Sequence, residues 1–470
     1  MKVARPLFAV IALAKATGDA FAHTSDRGHV LLLPTGYYLT GGGIAVAASF
    51  LALTVLPPAL FDRLAAQRRQ LFRIGTGLRP LVSLMSLLFL VVLVAAGFLG
   101  SRDPLSNSLP LTIWTLLWVG LTLAQGLIGN VWAWINPWYG AAWLFESITG
   151  TGERATRLPA AVGYWPAVLL FFGFAWFELI YPAPDDPARL ALAVAIYWAL
   201  NFLCMLIFGY DAWNRRGECL SVFFGMIARL SICELAASPA DHGRLSLCWP
   251  GAKLRNAAPL PLSGVLFLLL ALASVSFDGL SKTFFWLGMN GINPLEFPGR
   301  SALIGTSTTG LLLTFAVLSA AFLLVVYAGE QLGGGANGFL HAAGLLVWSI
   351  VPIAIAYHFS HYLTALVVNG QYAAVALSDP FSLGWNLFGT AYMQVTPGIV
   401  AGAGSARVLW NLQAGAIIAG HVLAVLVAHM LAARLHASPK SAALSQAPLA
   451  LLMVAYTVFG LWLLSTPTAG

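Results

Sequence analysis

Residues 80–100 read PLVSLMSLLFLVVLVAAGFLG, a run of twenty-one positions without one charged side chain. That length is what a helix needs to cross a hydrocarbon core about 30 Å thick, and it exceeds what a buried strand or short core helix uses. Working outward, apolar runs of similar length recur at about 37–61, 110–134, 161–182, 187–211, 261–283, 304–328, 339–367, 410–434 and 448–466. The ten runs predict an all-α, polytopic transmembrane helical bundle. Composition agrees: of 470 residues 59% are hydrophobic and 9% charged, and a mean hydropathy of +0.82 leaves too little polar surface for a water-soluble domain.

Ahead of the first run, MKVARPLFAVIALAKATGDAFA carries Lys2 and Arg5, a short apolar stretch and small residues at Ala20 and Ala22. It reads as a signal peptide over 1–22, with His23 as the mature N-terminus. Residues 23–470 are then expected to form a single membrane-embedded domain. With the mature start outside, the inner loops receive Arg63, Arg68, Arg69, Arg73, Arg79, Arg154, Arg157, Arg215, Arg216, Arg229, Arg244, Lys253, Arg255, Arg434 and Lys440. The outer loops receive Arg27, Arg102, Arg189, Lys282, Arg300 and Arg407. This asymmetry follows the positive-inside rule and puts both termini on the periplasmic side. It also accounts for the net charge of +7 as a determinant of topology, so no nucleic-acid partner is expected.

Two longer connections stand out, a cytoplasmic segment at 212–260 and a periplasmic one at 368–409. Within the first, CLSVFFGMIARLSICEL is too short and too mixed to span and is expected to lie along the interface. The aromatic cluster WAWINPWY at 132–139 is expected to anchor at headgroup depth. The four cysteines, Cys204, Cys219, Cys233 and Cys248, have no CxxC spacing and read as free thiols.

Charges inside apolar spans are costly and usually face a cavity or a partner, so their placement points to function. Glu178, in FAWFELIYP, and Asp278, in ASVSFDGLSK, fall near the outer ends of their helices and are the candidate catalytic carboxylates. Their alternative readings are headgroup depth for Glu178 and helix termination for Asp278. His358 and His361 are spaced i and i+3, so both imidazoles leave one helical face. His23 adds an α-amine and an imidazole, and His29 follows six residues on. His23, His29, His358 and His361 are therefore candidate ligands for a divalent metal, copper or zinc, at the outer face. His341, His421 and His429 are expected to hydrogen-bond to a neighbouring helix, His436 to lie in a solvated loop, and Asn130, Asn136 and Asn201 to bridge helices. No P-loop, Rossmann fingerprint, GxSxG elbow or HExxH helix occurs, which removes several common enzyme classes.

Four stretches, HTSDRGHVLLLPTGYYLTGGG from 23, GNVWAWINPW at 129–138, FDGLSKTFFW at 277–286 and HYLTALVVNGQYAAVALSDPFSLGWNLFG at 361–389, resemble the bacterial integral-membrane proteins labelled fenitrothion hydrolase. The resemblance implies a multi-pass protein of the inner membrane that hydrolyses an apolar organophosphate triester and releases a nitrophenol. It assigns no catalytic residues. The expected partners are the lipid bilayer, an apolar small molecule and another membrane protein or a second copy of the chain. Alternative readings are a transporter or copper-handling membrane protein and a structural subunit of a membrane complex.

Overall fold

The computed structural model describes residues 35–55, 63, 65–150, 158–236, 242–296, 299–335, 338–400 and 402–466. The expected signal peptide, His23 and His29 lie outside them. The described chain is mostly helical, and ten helices are long and apolar enough to cross a membrane. They are α1 (Thr35–Val55), α2 (Arg79–Leu99), α3 (Ser108–Leu127), α5 (Ala160–Leu179, regular from Trp165), α6 (Pro187–Phe208), α9 (Leu262–Ser281), α10 (Arg300–Gly333), α11 (Phe339–Ser378), α12 (Ala403–Leu435) and α13 (Pro439–Ser465). The shorter helices are α4 (Pro137–Thr149), α7 (Tyr210–Arg216) and α8 (Cys219–Ile227). Large apolar side chains such as Leu51, Val55, Leu88, Leu169 and Leu451 stand exposed on the outer helices. That is the surface of a multi-pass membrane protein, because lipid tails solvate it without penalty.

Burial separates the helices into two shells. The most apolar window of α9 is 83% buried and that of α11 78%, against 22% for α1, α2, α6 and α10. The two central helices close against each other where Leu260 donates its backbone N–H to the Gly344 carbonyl at 2.9 Å. Any Cβ at Gly344 would collide with Leu260 backbone, so glycine is required at this approach.

Three expectations change at the end of the bundle that carries Arg68, Arg79, Arg216 and Lys253. First, the chain is not purely helical. β1 (Arg68–Gly75), β2 (Cys233–Ala236) and β3 (His242–Cys248) form an antiparallel sheet in the order β1-β3-β2, with Arg68 opposite Cys248 and Cys233 opposite Leu247. The pairing lies between distant loops, and eight residues such as RRQLFRIG have too little periodicity to reveal it. Second, α8 does not lie along an interface: Cys219 through Phe224 are all buried, and Phe223 packs on Trp118 and Phe171 deep in the bundle. A chain that folds back must satisfy its free N–H groups internally. Glu218 does this, accepting from Leu220 N at 2.8 Å and Ser221 N at 2.6 Å while Tyr197 donates its hydroxyl to the same carboxylate. Third, Trp132 and Trp138 are core residues, not headgroup anchors. Trp132 donates to Ser221 Oγ at 2.9 Å, Asn136 donates to the same hydroxyl at 3.0 Å, and Trp138 donates to the Trp198 carbonyl. The segment 129–138 is thus the socket for α8.

Some of the other expectations stand. Asn136 also bridges to Asn214, and Asn201 accepts from Trp213, so both join helices, whereas Asn130 caps the turn beginning at Ala133. His429 bonds Gln446 Oε1 of α13 as expected, whereas His421 turns to the Ile417 carbonyl one turn back on its own helix and His341 is exposed, so neither of these two bears out the expected contact with a neighbouring helix. His436 is a correction: it is buried and ion-paired with Glu330 at 3.1 Å. The four cysteines are free. α11 continues eleven residues beyond the expected boundary, to Ser378, so the connection to α12 is shorter than 368–409.

Burial lifts the Glu218 carboxyl above its usual range, against the hydrogen bonds it accepts. The folded chain therefore holds this proton where the unfolded chain has lost it, and stability falls as pH rises through the raised value. Glu218→Gln keeps a capping oxygen and should flatten that dependence, read as the melting midpoint in detergent across pH 5–8. Glu218→Ala, which strips both capped N–H groups, should cost about 2–4 kcal/mol at the acid end of that range and less as pH rises.

Candidate functional site

The site forms at the opposite end of the bundle, where α5, α9 and α11 converge on Asp278. Asp278 is not a helix terminator, since α9 continues to Ser281, and it is 5% exposed. Its Oδ1 pairs with Lys282 one turn on at 2.8 Å, and its Oδ2 with His361 Nε2 at 2.5 Å. Tyr362 donates its hydroxyl to Glu178 Oε1 at 2.8 Å and lies 3.3 Å from Asp278 Oδ2. One phenolic proton thus sits between two carboxylates from two helices. Glu178 is only partly exposed, and the carbonyl at its own backbone accepts from Arg300 at 2.7 Å, which fastens the end of α5 to the start of α10.

The α11 histidines part company. His361 turns to Asp278, whereas His358, 2% exposed, places Nε2 at 3.0 Å from the Trp118 carbonyl. A carbonyl only accepts, so His358 Nε2 carries the hydrogen and Nδ1 keeps a lone pair. That Nδ1 is buried and has no partner. Trp118 lies in Leu111–Leu121 of α3, which is wound as a π-helix, a wide-turn form concentrated at functional sites. Its carbonyl also accepts from Thr122 Oγ1. The Trp118 indole N–H lies near the Glu178 carboxylate and the Tyr362 hydroxyl without making a hydrogen bond of good geometry to either.

Of the residues predicted from sequence, Glu178, Asp278 and His361 are brought together, His358 stands beside them against the Tyr362 ring, and His23 and His29 lie outside the described residues. Among the described residues no three His, Cys, Asp or Glu side chains converge as a metal-binding group. Sequence reading missed Tyr362, Lys282 and Trp118. Tyr362 and Lys282 were accessible from helical spacing, at i+1 of His361 and i+4 of Asp278; the π-turn at Trp118 has no sequence signal.

A second feature lies across the Trp118 wall. A cavity of about 790 Å³ is bounded by α2, α3, α5 and α6 and by the segment 132–138. Trp118 meets cavity-lining Phe174 at 4.8 Å between ring centroids and His358 at 5.0 Å, and so stands between cavity and carboxylates.

Comparison with known protein families, curated proteins and solved structures finds no match to this chain.

Removing the shared hydroxyl tests the cluster. Tyr362→Phe should destabilise the protein by about 1–3 kcal/mol, because it leaves a buried acceptor unpaired. Glu178→Gln in the same background should recover part of that loss, giving a coupling energy of about 1 kcal/mol or more in a double-mutant cycle of detergent unfolding.

Proposed function

We propose that this chain is a membrane-embedded hydrolase of apolar organophosphate triesters, acting at the end of the bundle that carries Asp278. The supporting observation is the pair of α11 histidines. Each has its Nε2 engaged, one by a carbonyl and one by a carboxylate, which is how ligating histidines are commonly oriented. Both Nδ1 lone pairs are then open, and the buried one on His358 is unpartnered. A divalent metal, copper or zinc, would fit that donor chemistry, with His358 and His361 as two of its ligands. When bound, it supplies a water of lowered pKa and polarises the phosphoryl oxygen.

The remaining work falls to the chain's own groups. Asp278 keeps His361 in the Nε2–H tautomer and is itself held ionised by Lys282. Glu178, with one oxygen engaged by Tyr362, takes the proton from the attacking water through the other. The water oxygen bonds to phosphorus, the phosphorus–aryl oxygen bond breaks, and nitrophenolate leaves with the electron pair. An uncharged aryl triester reaches this end through lipid. By the positive-inside rule the basic end faces the cytoplasm of a bacterial inner membrane, and the reaction face is periplasmic.

Purified protein should release nitrophenol from fenitrothion, lose that activity to a chelator and regain it with copper or zinc. Glu178→Gln should lower kcat by about 10²–10⁴-fold. Full activity after complete metal removal would sink the metal assignment, and no nitrophenol from folded, metal-replete protein would sink the hydrolase reading.

A second reading, ion transport, has one observation in its favour. His421 and His429 fall about 80° apart around α12 and both are buried. Ion uptake into proteoliposomes without ester hydrolysis would favour it.

A further inference from the structure

The sheet β1-β3-β2 takes no part in the reaction proposed above, and its two faces differ in kind. Phe72 lies opposite Leu245 and Arg69 opposite Leu247, while Leu235 also pairs with Leu245, so these side chains leave one face. Trp249, one residue past β3, continues that face, since its indole donates to Gln67 at 2.9 Å. The other face carries Gln70 and Glu234, both opposite Ser246, and Arg68, which pairs with Glu234 at 2.5 Å. A bulge at Leu71 makes the division clean. The register shifts between Gln70 and Phe72, which turns Phe72 away from the Gln70 face, where strict alternation would have put it.

Phe72 is 55% and Trp249 52% exposed, and none of these apolar side chains belongs to a packed core cluster among the described residues. The attachment of the sheet decides what covers them. On one side only Thr76–Leu78 separates β1 from α2, whose exposed Leu78, Leu81, Met85 and Leu88 recur at helical spacing as a lipid-facing stripe. On the other, Ile232 and Cys233 donate their backbone N–H groups to the Leu127 and Ile128 carbonyls at the end of α3. The sheet is thus pinned to the ends of two spans, where hydrocarbon gives way to headgroups. Charge selects among headgroups: Arg63, Arg69 and Arg73 are exposed and have no acidic partner among the described residues. Beside Arg69 a recess of about 380 Å³ joins its guanidinium to the apolar walls of Leu247, Trp249 and Pro250.

We propose that the sheet is an interfacial anchor for anionic phospholipid of the protein's own leaflet, with Phe72 and Trp249 among the upper acyl carbons and Arg69 on a headgroup phosphate. Aromatic rings and cations in this arrangement are what an interface between acyl chains and anionic headgroups favours. The surface is at the end of the bundle away from Asp278 and stands whether or not the chain is a hydrolase.

The test places a photoreactive side chain on each face. Phe72→p-benzoylphenylalanine and, as the control, Gln70→p-benzoylphenylalanine are reconstituted in nanodiscs of equal parts phosphatidylcholine and phosphatidylglycerol, irradiated, and their adducts identified by mass spectrometry. Both positions are exposed, so neither change disturbs the core. Position 72 should give phospholipid adducts about tenfold or more above position 70. Phosphatidylglycerol should be captured about fivefold over phosphatidylcholine, a preference that Arg69→Gln should abolish. Trp249→p-benzoylphenylalanine repeats the measurement from β3 and serves where the change in β1 fails to fold. Equal lipid adducts on the two faces, capture of protein or of a second copy of this chain in place of lipid, or no preference for phosphatidylglycerol would each overturn the proposal.

Discussion

The interaction on which this end of the bundle depends is the shared charge at Asp278. A carboxylate within an apolar helix has no water to stabilise it, so its counter-charges and donors must come from the protein. Asp278 obtains them from its own helix through Lys282, from α11 through His361, and from the hydroxyl that Tyr362 holds between it and Glu178 of α5. These contacts fix the register of three helices at once. Apolar packing between smooth surfaces would allow α11 to slide or turn against α9, because lipid tails are as apolar as the side chains they replace. A hydrogen-bonded charge cluster in a low dielectric does not tolerate such a shift.

A second tie runs to α3, where Trp118 lies in the π-wound stretch and its carbonyl accepts from Thr122 of its own helix and from His358 of α11. The consequence is a histidine fixed in one tautomer with a bare, buried Nδ1, a costly state that is retained beside the only place where two acidic side chains share a proton donor among the described residues. The Trp118 ring itself packs among Phe171, Phe174 and Phe223.

How much of this was legible in the sequence follows from the range of the interactions involved. The spans are local properties, since twenty apolar residues are apolar whatever surrounds them, and the ten runs agree with the ten helices to within a few residues at most ends. Glu178, Asp278 and His361 were found for the same reason: a charge in an apolar run is conspicuous. The fold-back of α8 was not legible, because CLSVFFGMI is equally suited to an interface and to a protein interior, and only Ser221 and Glu218 meeting Trp132, Asn136 and Tyr197 decide between them. The pairing of β1 with β3 escaped for a related reason, the two strands lying more than 150 residues apart in the chain, while β2 and β3 are near neighbours. His436 looked like a loop residue because Glu330, its partner, lies 106 positions away.

The two chambers have opposite requirements, and that opposition accounts for the arrangement of aromatic residues between them. Asp278 is buried with its partners in place, while Lys282 and His361 stay partly exposed at this end of the bundle. The cavity, by contrast, is lined without any ionisable side chain. One bundle can hold both only with a wall whose two faces differ. Trp118 meets that need: its ring packs edge-on against Phe174 on the cavity side and against the His358 imidazole on the other, while its carbonyl holds that imidazole in place. A smaller aliphatic residue would keep the carbonyl but lose the ring that separates the chambers. The aromatic density of α3 and α5, which in the sequence reads only as hydrophobicity, is in the fold the packing that stands between the carboxylates and the apolar cavity.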